Sequence, residues 1–389
     1  MSESSIEYSI FLIFTGAAVL ATLALFARQA MIVAYIVLGI LMGPWGIGLV
    51  ADAELIKDIS NIGIIFLLYL LGLDLLPQQL WKMLGEALWA TIISSILFGL
   101  IGFLIAYAFD YPLLEAVLIG ATLMFSSTIL GVKLLPTTTL HHKHTGQIII
   151  SVLLLQDLIA ILVLLLLQGY GNGGNIMLEI VWQLAALPFV IFIAWLLEKY
   201  LILPLIMRYD QIHEYIFLLA IAWCLGVAEM AVFFGLSHEI GAFIAGVVLA
   251  SSPIAFFIAE KLKPLRDFFL IIFFFSLGAS FKMDIIAEII FPASLIALTA
   301  IIVKPAVFKY LFVKAGEKKI ISQEVGFRLG QISEFSFLIA VLALESKFIE
   351  ENTSYLIQLA TLITLIVSSY IIVLQFPTPI AVRDKLRRD

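Results

Sequence analysis

The stretch SVLLLQDLIAILVLLLLQG, residues 151–169, is apolar over the length of a membrane-spanning helix except for Gln156 and Asp157 inside it. A hydrocarbon core about 30 Å thick requires roughly 20 apolar residues in a helix, and this stretch supplies them. A charge near the bilayer centre costs about 2.5–3.5 kcal/mol on insertion scales. The stretch therefore predicts a transmembrane helix in which an aspartate has a functional reason to be buried.

The rest of the chain has the composition of an integral membrane protein. Of its 389 residues, 63% are hydrophobic and 13% charged, with a mean hydropathy of +1.14, whereas a soluble domain has about 25% charged residues. The single cysteine, Cys224, excludes an intrachain disulfide, and no Cys/His pattern has zinc-site spacing. We expect neither an enzyme nor a nucleic-acid-binding protein, and no cofactor.

Apolar runs bounded by charges, glycine and proline predict thirteen membrane spans. They begin near residues 7, 30, 60, 86, 113, 147, 178, 213, 236, 266, 289, 322 and 354. The second, third and ninth runs are short, which predicts tilted or interrupted helices. An external N-terminus and a cytoplasmic C-terminus leave only Lys57, Lys282 and Lys347 as external loop cations. The positive-inside rule favours this orientation in a cell inner (plasma) membrane.

The two halves of the chain align with each other at an offset of about 206 residues. YLLGLD at 69–74 aligns with FSLGAS at 275–280, and LGILMGP around Gly39 aligns with AGVVLAS around Gly246. Six spans followed by one linking span invert the second half relative to the first, which is a design of secondary transporters.

The alignment predicts the organisation of the whole chain. A first repeat covers about residues 7–168, a linking helix about 178–198, and a second repeat about 213–376, all within one transmembrane domain over 1–389. The predicted fold class is an all-α polytopic membrane protein with two inverted repeats and crossed broken helices.

Polar side chains recur near the predicted membrane midplane. LMFSSTILGVKLLP (123–136) and RLGQISEFSF (328–337) combine hydroxyls, glycine and proline, and each predicts an interrupted helix. Two broken helices would expose carbonyls and opposed dipole ends at the midplane, where oxygen atoms suit a monovalent cation. The predicted cation- and proton-binding residues are Ser126, Ser127, Thr128, Gln156 and Asp157.

Other roles stay open for several polar residues. Hydroxyls in membrane helices often bond to the carbonyl four residues back, and Gln156 could join helices as a neutral hydrogen-bonding partner. Glu334 could bind the ion or pair with Arg328. Lys304 precedes Pro305, so it could contact carbonyls freed by a kink or pair with a carboxylate. Lys304, Glu334 and Arg328 are therefore predicted as supporting charges.

The sequence resembles a known family along all thirteen spans. GPWGIGLV (43–50), GLDLLPQQLWK (72–82), LLLQDLIAI (153–161), GAFIAGVVLASS (241–252) and GQISEFSF (330–337) are similar to the Kef-type branch of the monovalent cation:proton antiporter-2 family. The resemblance implies the sodium/proton antiporter fold, in a homodimer whose core domain of broken helices moves against a dimerisation domain. It also implies that Asp157 is the ion- and proton-binding carboxylate, Lys304 the membrane-embedded lysine and Ser126–Thr128 the first crossover.

The predicted function is secondary active exchange of a monovalent cation for protons, with the two competing for Asp157. Gln156 stands where sodium-exchanging members carry a first aspartate, which favours potassium. Glutathione-gated members carry a soluble nucleotide-binding domain after the last helix, whereas this sequence ends in VRDKLRRD, so we expect no such domain and no such gating. The alternatives are sodium/proton exchange, a channel-like potassium pathway without obligatory proton exchange, and a non-transporting sensor.

Overall fold

The structure, a computed structural model, describes residues 6–50, 53–74, 77–134, 144–170, 176–209, 211–252 and 254–378. The described part is helical, with short turns between helices. Seven helices of the first half are α1 Ile6–Phe26, α2 Met31–Met42, α3 Ala53–Asp74, α4 Pro77–Ala108, α5 Leu113–Leu123, α6 Thr128–Lys133 and α7 His144–Tyr170. The linking segment contains α8 Ile176–Leu197, a π-helical turn Glu198–Ile202 and α9 Leu203–Arg208.

The second half continues the helical arrangement. Its helices are α10 His213–Phe233, α11 His238–Ala250, α12 Ala255–Ala279, α13 Ile286–Lys314, α14 Lys319–Arg328, α15 Phe335–Glu345 and α16 Glu351–Gln375. Within the described residues, seven stretches are long and apolar enough to cross a membrane, and shorter apolar helices accompany them. Each predicted span corresponds to a helix, and the fifth and twelfth correspond to the interrupted pairs α5/α6 and α14/α15.

Three helix starts differ clearly from those predicted. The third span begins at Ala53 rather than near residue 60, the fourth at Pro77 rather than near residue 86, and the tenth at Ala255 rather than near residue 266. The basic stretch FFIAEKLKPLRD (256–267) precedes the predicted start of the tenth span and forms the first half of α12. Its charges pair locally, Lys263 with Glu260 one turn earlier, so a helix carries them without a break.

The chain divides into two compact units, each assembled from several segments. The first unit comprises Met1–Val19, Tyr35–Lys82 and Gln168–Phe281, and the second comprises Leu20–Ala34, Met83–Leu167 and Lys282–Asp389. Both broken pairs and the polar residues predicted at the midplane belong to the second unit.

In the first unit, glycines bring helix backbones into direct contact. A Cβ atom on Gly278 would lie 2.0 Å from the carbonyl oxygen of Ile36 in α2, and one on Gly246 would lie 2.1 Å from that of Tyr69 in α3. At the same two crossings, a Cβ atom on Gly39 or Gly72 would likewise lie against the backbone of the opposite helix. Gly72 and Gly278 are 206 residues apart, so the offset seen in the sequence relates two equivalent helix crossings.

These crossings give a stability prediction. Gly278→Ala should destabilise the protein by about 1–3 kcal/mol, because the added methyl group overlaps a backbone oxygen that cannot move independently of its helix. Gly226→Ala in α10 is the matched control, since its methyl group would meet no described atom within 4 Å and alanine is the better helix former. Melting temperatures of the purified variants in detergent test this. Equal melting temperatures of the two variants would contradict this prediction.

Candidate functional site

The first broken helix is interrupted by its hydroxyl residues. Helix α5 ends at Leu123 and α6 begins at Thr128. The Ser127 hydroxyl oxygen accepts a hydrogen bond from the backbone N–H of Leu130 at 3.1 Å, which caps the start of α6. The run SST therefore ends one helix and starts the next.

The second break lies between Arg328 and Phe335 and is held from both sides. The Ser333 hydroxyl oxygen accepts a hydrogen bond from the Phe335 N–H at 3.1 Å, and the Thr364 hydroxyl oxygen of α16 accepts one from the Ile332 N–H at 3.0 Å. Backbone donors exposed by the break are thus satisfied inside the protein, which a membrane environment requires.

The two broken helices cross and run in opposite directions. Ser126 Oγ donates to the Leu329 carbonyl at 2.8 Å, and Ser336 Oγ donates to the Thr122 carbonyl at 2.8 Å. Thr122 is bonded to Ser336, and the later residue Ser126 is bonded to the earlier residue Leu329. The crossing is therefore antiparallel. The predicted crossed broken helices are confirmed.

Lys304 holds both breaks together. Its ammonium group is buried and donates to the carbonyl oxygens of Phe125 at 2.7 Å and Gln331 at 2.9 Å. Phe125 and Gln331 are 206 residues apart, so the lysine binds equivalent positions of the two repeats. Of the two roles left open for Lys304, contact with carbonyls is the one found. The carbonyls belong to the breaks rather than to a kink at Pro305.

Gln156 and Asp157 sit side by side on α7 but make different contacts. Gln156 is fixed at both ends: its Oε1 accepts from the Ser126 N–H and its Nε2 donates to the Met124 carbonyl, each at 2.9 Å. Asp157 is fully buried, and its Oδ2 accepts from the Thr128 hydroxyl at 3.3 Å. Its Oδ1 has no hydrogen-bond partner among the described residues. Gln156 therefore shapes the break, while Oδ1 of Asp157 is available to bind a proton or an ion.

The other predicted ligands divide in the same way. The hydroxyl groups of Ser126 and Ser127 are engaged by the Leu329 carbonyl and the Leu130 N–H, so both serve the backbone of the crossing. Only Thr128 directs its hydroxyl to the carboxylate of Asp157. The five predicted residues come together, and two of them, Asp157 and Thr128, are bonded to each other through their side chains.

Among the described residues, the carboxylate found to pair with Arg328 is Glu324. The buried Arg328 guanidinium donates to the Glu324 carboxylate at 3.0 Å, to the Leu134 carbonyl at 3.0 Å and to the Pro377 carbonyl at 2.7 Å. Glu324 lies one turn earlier on the same helix face, whereas the chain bends away before Glu334. Glu334 is 5% exposed, and its carboxyl group lies close enough to Asp157 for electrostatic interaction.

The sequence prediction missed Gln331 as a site residue. It is fully buried in the second break, and its backbone carbonyl is one of the two held by Lys304. The available signal was its position 206 residues after Phe125, which places it at the crossover of the second repeat.

A buried carboxylate beside two crossed broken helices, with a buried lysine across both breaks, defines a secondary transporter of cations. Residues 11–375 match the family described as sodium/hydrogen exchanger, transmembrane. The chain belongs to this family, and its class is that of monovalent cation/proton antiporters.

Individual relatives show the same relationship. The chain is 29% identical to the glutathione-regulated potassium-efflux system protein KefC of Enterobacter sp. over 93% of its own length and 59% of that protein's. It is 28% identical to K(+) efflux antiporter 4 of Arabidopsis thaliana over 86% and 58%. It is 25% identical to the iron transporter MagA of Paramagnetospirillum magneticum over 88% and 79%. The chain thus spans less than two thirds of both potassium-efflux relatives.

A solved structure agrees at the level of the fold. The sodium proton antiporter MjNhaP1 from Methanocaldococcus jannaschii superimposes with a TM-score of 0.70, covering 94% of this chain and 95% of that one. The two sequences are 16% identical, so the likeness concerns architecture. The predicted sodium/proton antiporter fold is confirmed.

Proposed function

We propose that this protein exchanges potassium for protons, and that Asp157 holds either a proton or the cation. The observation that carries the proposal is Oδ1 of Asp157, which has no hydrogen-bond partner in the described part of the chain and belongs to a fully buried carboxylate beside the crossing of two broken helices. A buried carboxylate is costly unless it is protonated or faces a cation. Since both ligands use the same oxygens, each excludes the other. Opening the site to one side at a time then produces exchange.

Potassium is proposed over sodium because of Gln156. Its amide is held by the backbone on both sides, so Asp157 has a neutral neighbour where sodium-exchanging members of the resembled family carry a second carboxylate. Two relatives are named for potassium efflux, which supports the same choice. The name of a third relative refers to iron. In the described part of the chain, no three His, Cys, Asp or Glu side chains are grouped to hold a metal ion.

Reconstituted vesicles with a fluorescent pH reporter inside test the function. An inward potassium gradient should make the lumen alkaline without a protonophore, at a rate that saturates with potassium. A channel-like pathway would need a protonophore to show the same response, because potassium entry alone would build an opposing voltage. A half-saturating sodium concentration equal to or below that of potassium would favour sodium exchange. Protein-free vesicles measure the leak.

We also propose the orientation with an external N-terminus in the cell inner (plasma) membrane. The loop cations support it, because only Lys57, Lys282 and Lys347 then lie outside. In this orientation, a cavity of about 420 Å³ in the second unit, lined by the carboxylates of Asp110, Glu115, Glu288 and Glu350, faces the outside. Its negative charge would raise the local concentration of cations there.

Cysteine labelling tests this orientation. A cysteine at Lys347 should react with an impermeant maleimide added to intact cells, whereas one at Lys318 should react only after permeabilisation. Lys57 and Lys143 offer a second pair on opposite sides; Lys143 lies outside the described residues. If the cysteine at position 318 were labelled in intact cells and the one at position 347 were not, the topology would be the opposite of the proposed one.

We further propose that the protein functions as a homodimer, without enzymatic activity and without a cofactor. Support comes from the family resemblance. Light scattering in detergent should give a protein mass of twice the 43.1 kDa of one chain, and a monomer mass would contradict the dimer.

A further inference from the structure

Gln331 carries an oxygen that its surroundings leave without a partner. The side chain is fully buried, and its Nε2 donates to the carbonyls of Arg328 at 2.8 Å and Ser127 at 3.4 Å. Since both neighbours are acceptors, rotating the amide by half a turn would place oxygen against oxygen, so the orientation is determined. Oε1 then has no hydrogen-bond partner in the part of the chain that the structure describes. Such an acceptor costs about 1–3 kcal/mol.

A second oxygen of this kind belongs to Asp157. Its Oδ1 is also buried without a partner among described atoms, while its Oδ2 is bonded to Thr128. Gln331 is bonded to the adjacent residue, Ser127. Two unsatisfied acceptor oxygens are therefore anchored to consecutive residues of one helix break. Each buried acceptor needs a donor or a cation, and a second acceptor cannot satisfy the first.

We propose that Gln331 is a ligand of the transported cation, with Oε1 binding the ion together with Asp157. This inference rests on the proposed antiport at Asp157. Amide and carboxylate oxygens are the hard donors that such cations prefer. An amide does not titrate, so Gln331 contributes to cation affinity and has no part in proton binding. Lys304 fixes its backbone carbonyl at 2.9 Å, which limits how far the ligand moves.

The comparison with Gln156 distinguishes a ligand from a structural glutamine. Both side chains are fully buried. Gln156 uses its oxygen for the Ser126 N–H and its nitrogen for the Met124 carbonyl, so the backbone engages both ends of its amide. Gln331 uses only its nitrogen. Gln156, which stands out in the sequence as a polar residue in an apolar run, shapes the break. Gln331 does not stand out in the sequence, and it binds the cation.

Gln331→Met tests the inference, because methionine keeps the length and removes the oxygen; it also removes the amide bonds to the Arg328 and Ser127 carbonyls, so potassium affinity is compared with stability. The potassium concentration for half-maximal exchange should rise about tenfold, while the maximal rate and its dependence on proton concentration stay close to wild type. Gln358→Met is the matched control. Gln358 is a buried glutamine of α16 in the same unit, bonded to Ser354 at 3.1 Å, and its loss should leave potassium half-saturation unchanged.

A binding measurement that needs no transport complements the kinetics. Potassium chloride, compared with choline chloride, should raise the melting temperature of wild type and Gln358→Met in detergent, and should not raise that of Gln331→Met. Should Gln331→Met fail to fold, Gln331→Glu replaces it. Glutamate retains an oxygen and adds a titratable group, so potassium half-saturation should become more strongly pH-dependent than in wild type.

The outcomes separate this inference from the function it rests on. If the wild type exchanges potassium for protons, and Gln331→Met has the same potassium half-saturation and the same stabilisation by potassium, Gln331 is not a ligand and the antiport still stands. The oxygen then binds water or no ligand at all. An unchanged pH dependence in Gln331→Glu also rejects it. Absence of potassium-driven proton movement in wild type rejects the antiport itself.

Discussion

Asp157→Asn should reduce potassium-driven proton movement to the rate of protein-free vesicles. Asparagine has nearly the same shape and can still accept a hydrogen bond from Thr128, which donates to Oδ2 at 3.3 Å in the native protein. It cannot bind a proton or balance the charge of a cation at the position of Oδ1. The two exchanged ions therefore lose their shared ligand, while the packing around the side chain is retained.

Two further variants test whether the loss of exchange is specific to the carboxylate of Asp157. Asp267→Asn removes an exposed carboxylate paired with Arg266 at 3.0 Å, and we expect wild-type exchange from it. Asp157→Glu keeps the titratable group on a longer side chain and should retain slight activity with a shifted pH profile. Near wild-type exchange by Asp157→Asn would move the proton- and cation-binding role to Glu334, the other buried carboxylate near the crossing.

Lys304→Met should have the largest effect on stability. Methionine removes the desolvation cost of a buried ammonium. It also leaves the carbonyls of Phe125 and Gln331, now bonded at 2.7 and 2.9 Å, without a donor. Each unpaired buried carbonyl costs about 1–3 kcal/mol, so we expect a net loss of roughly 2–4 kcal/mol and loss of transport. The breaks would no longer be held at a fixed separation.

Lys309→Met is the control for this prediction. Lys309 lies on the same helix, is half-buried and makes one long hydrogen bond of 3.4 Å to Gln323. Its replacement should change the melting temperature in detergent only slightly. If Lys304→Met melted at the same temperature as Lys309→Met, the bonds to the two carbonyls would not be what holds the breaks together.

The sequence was informative where a residue type is unusual for its surroundings. Asp157 and Gln156 are polar in an apolar run, SST and GQIS interrupt helices, and glycines recur at the offset of the two repeats. Each signal follows from the cost of placing polar groups or side chains where the membrane or a neighbouring helix excludes them. The broken helices and their crossing could therefore be predicted.

The hydrogen-bond partners could not be predicted in this way. Lys304 and Arg328 bind carbonyls of Phe125, Gln331, Leu134 and Pro377, and every residue carries a carbonyl, so no residue type marks the acceptor. Charge pattern alone suggested Glu334 for Arg328, and it left carbonyls and a carboxylate both open for Lys304. Gln331 was missed for a related reason, because its free oxygen depends on which atoms its nitrogen contacts. The start of α12 was misplaced because charges that pair along a helix resemble a loop.

The central claim is that one carboxylate serves a proton or a cation in turn. Its most direct test is the potassium concentration for half-maximal exchange, measured in proteoliposomes over a series of pH values. Competition for Asp157 predicts that each unit decrease in pH raises this concentration by up to about tenfold. The maximal rate at saturating potassium should stay constant. A half-saturating potassium concentration that is independent of pH, with a maximal rate that changes instead, would show that proton and cation bind at separate sites.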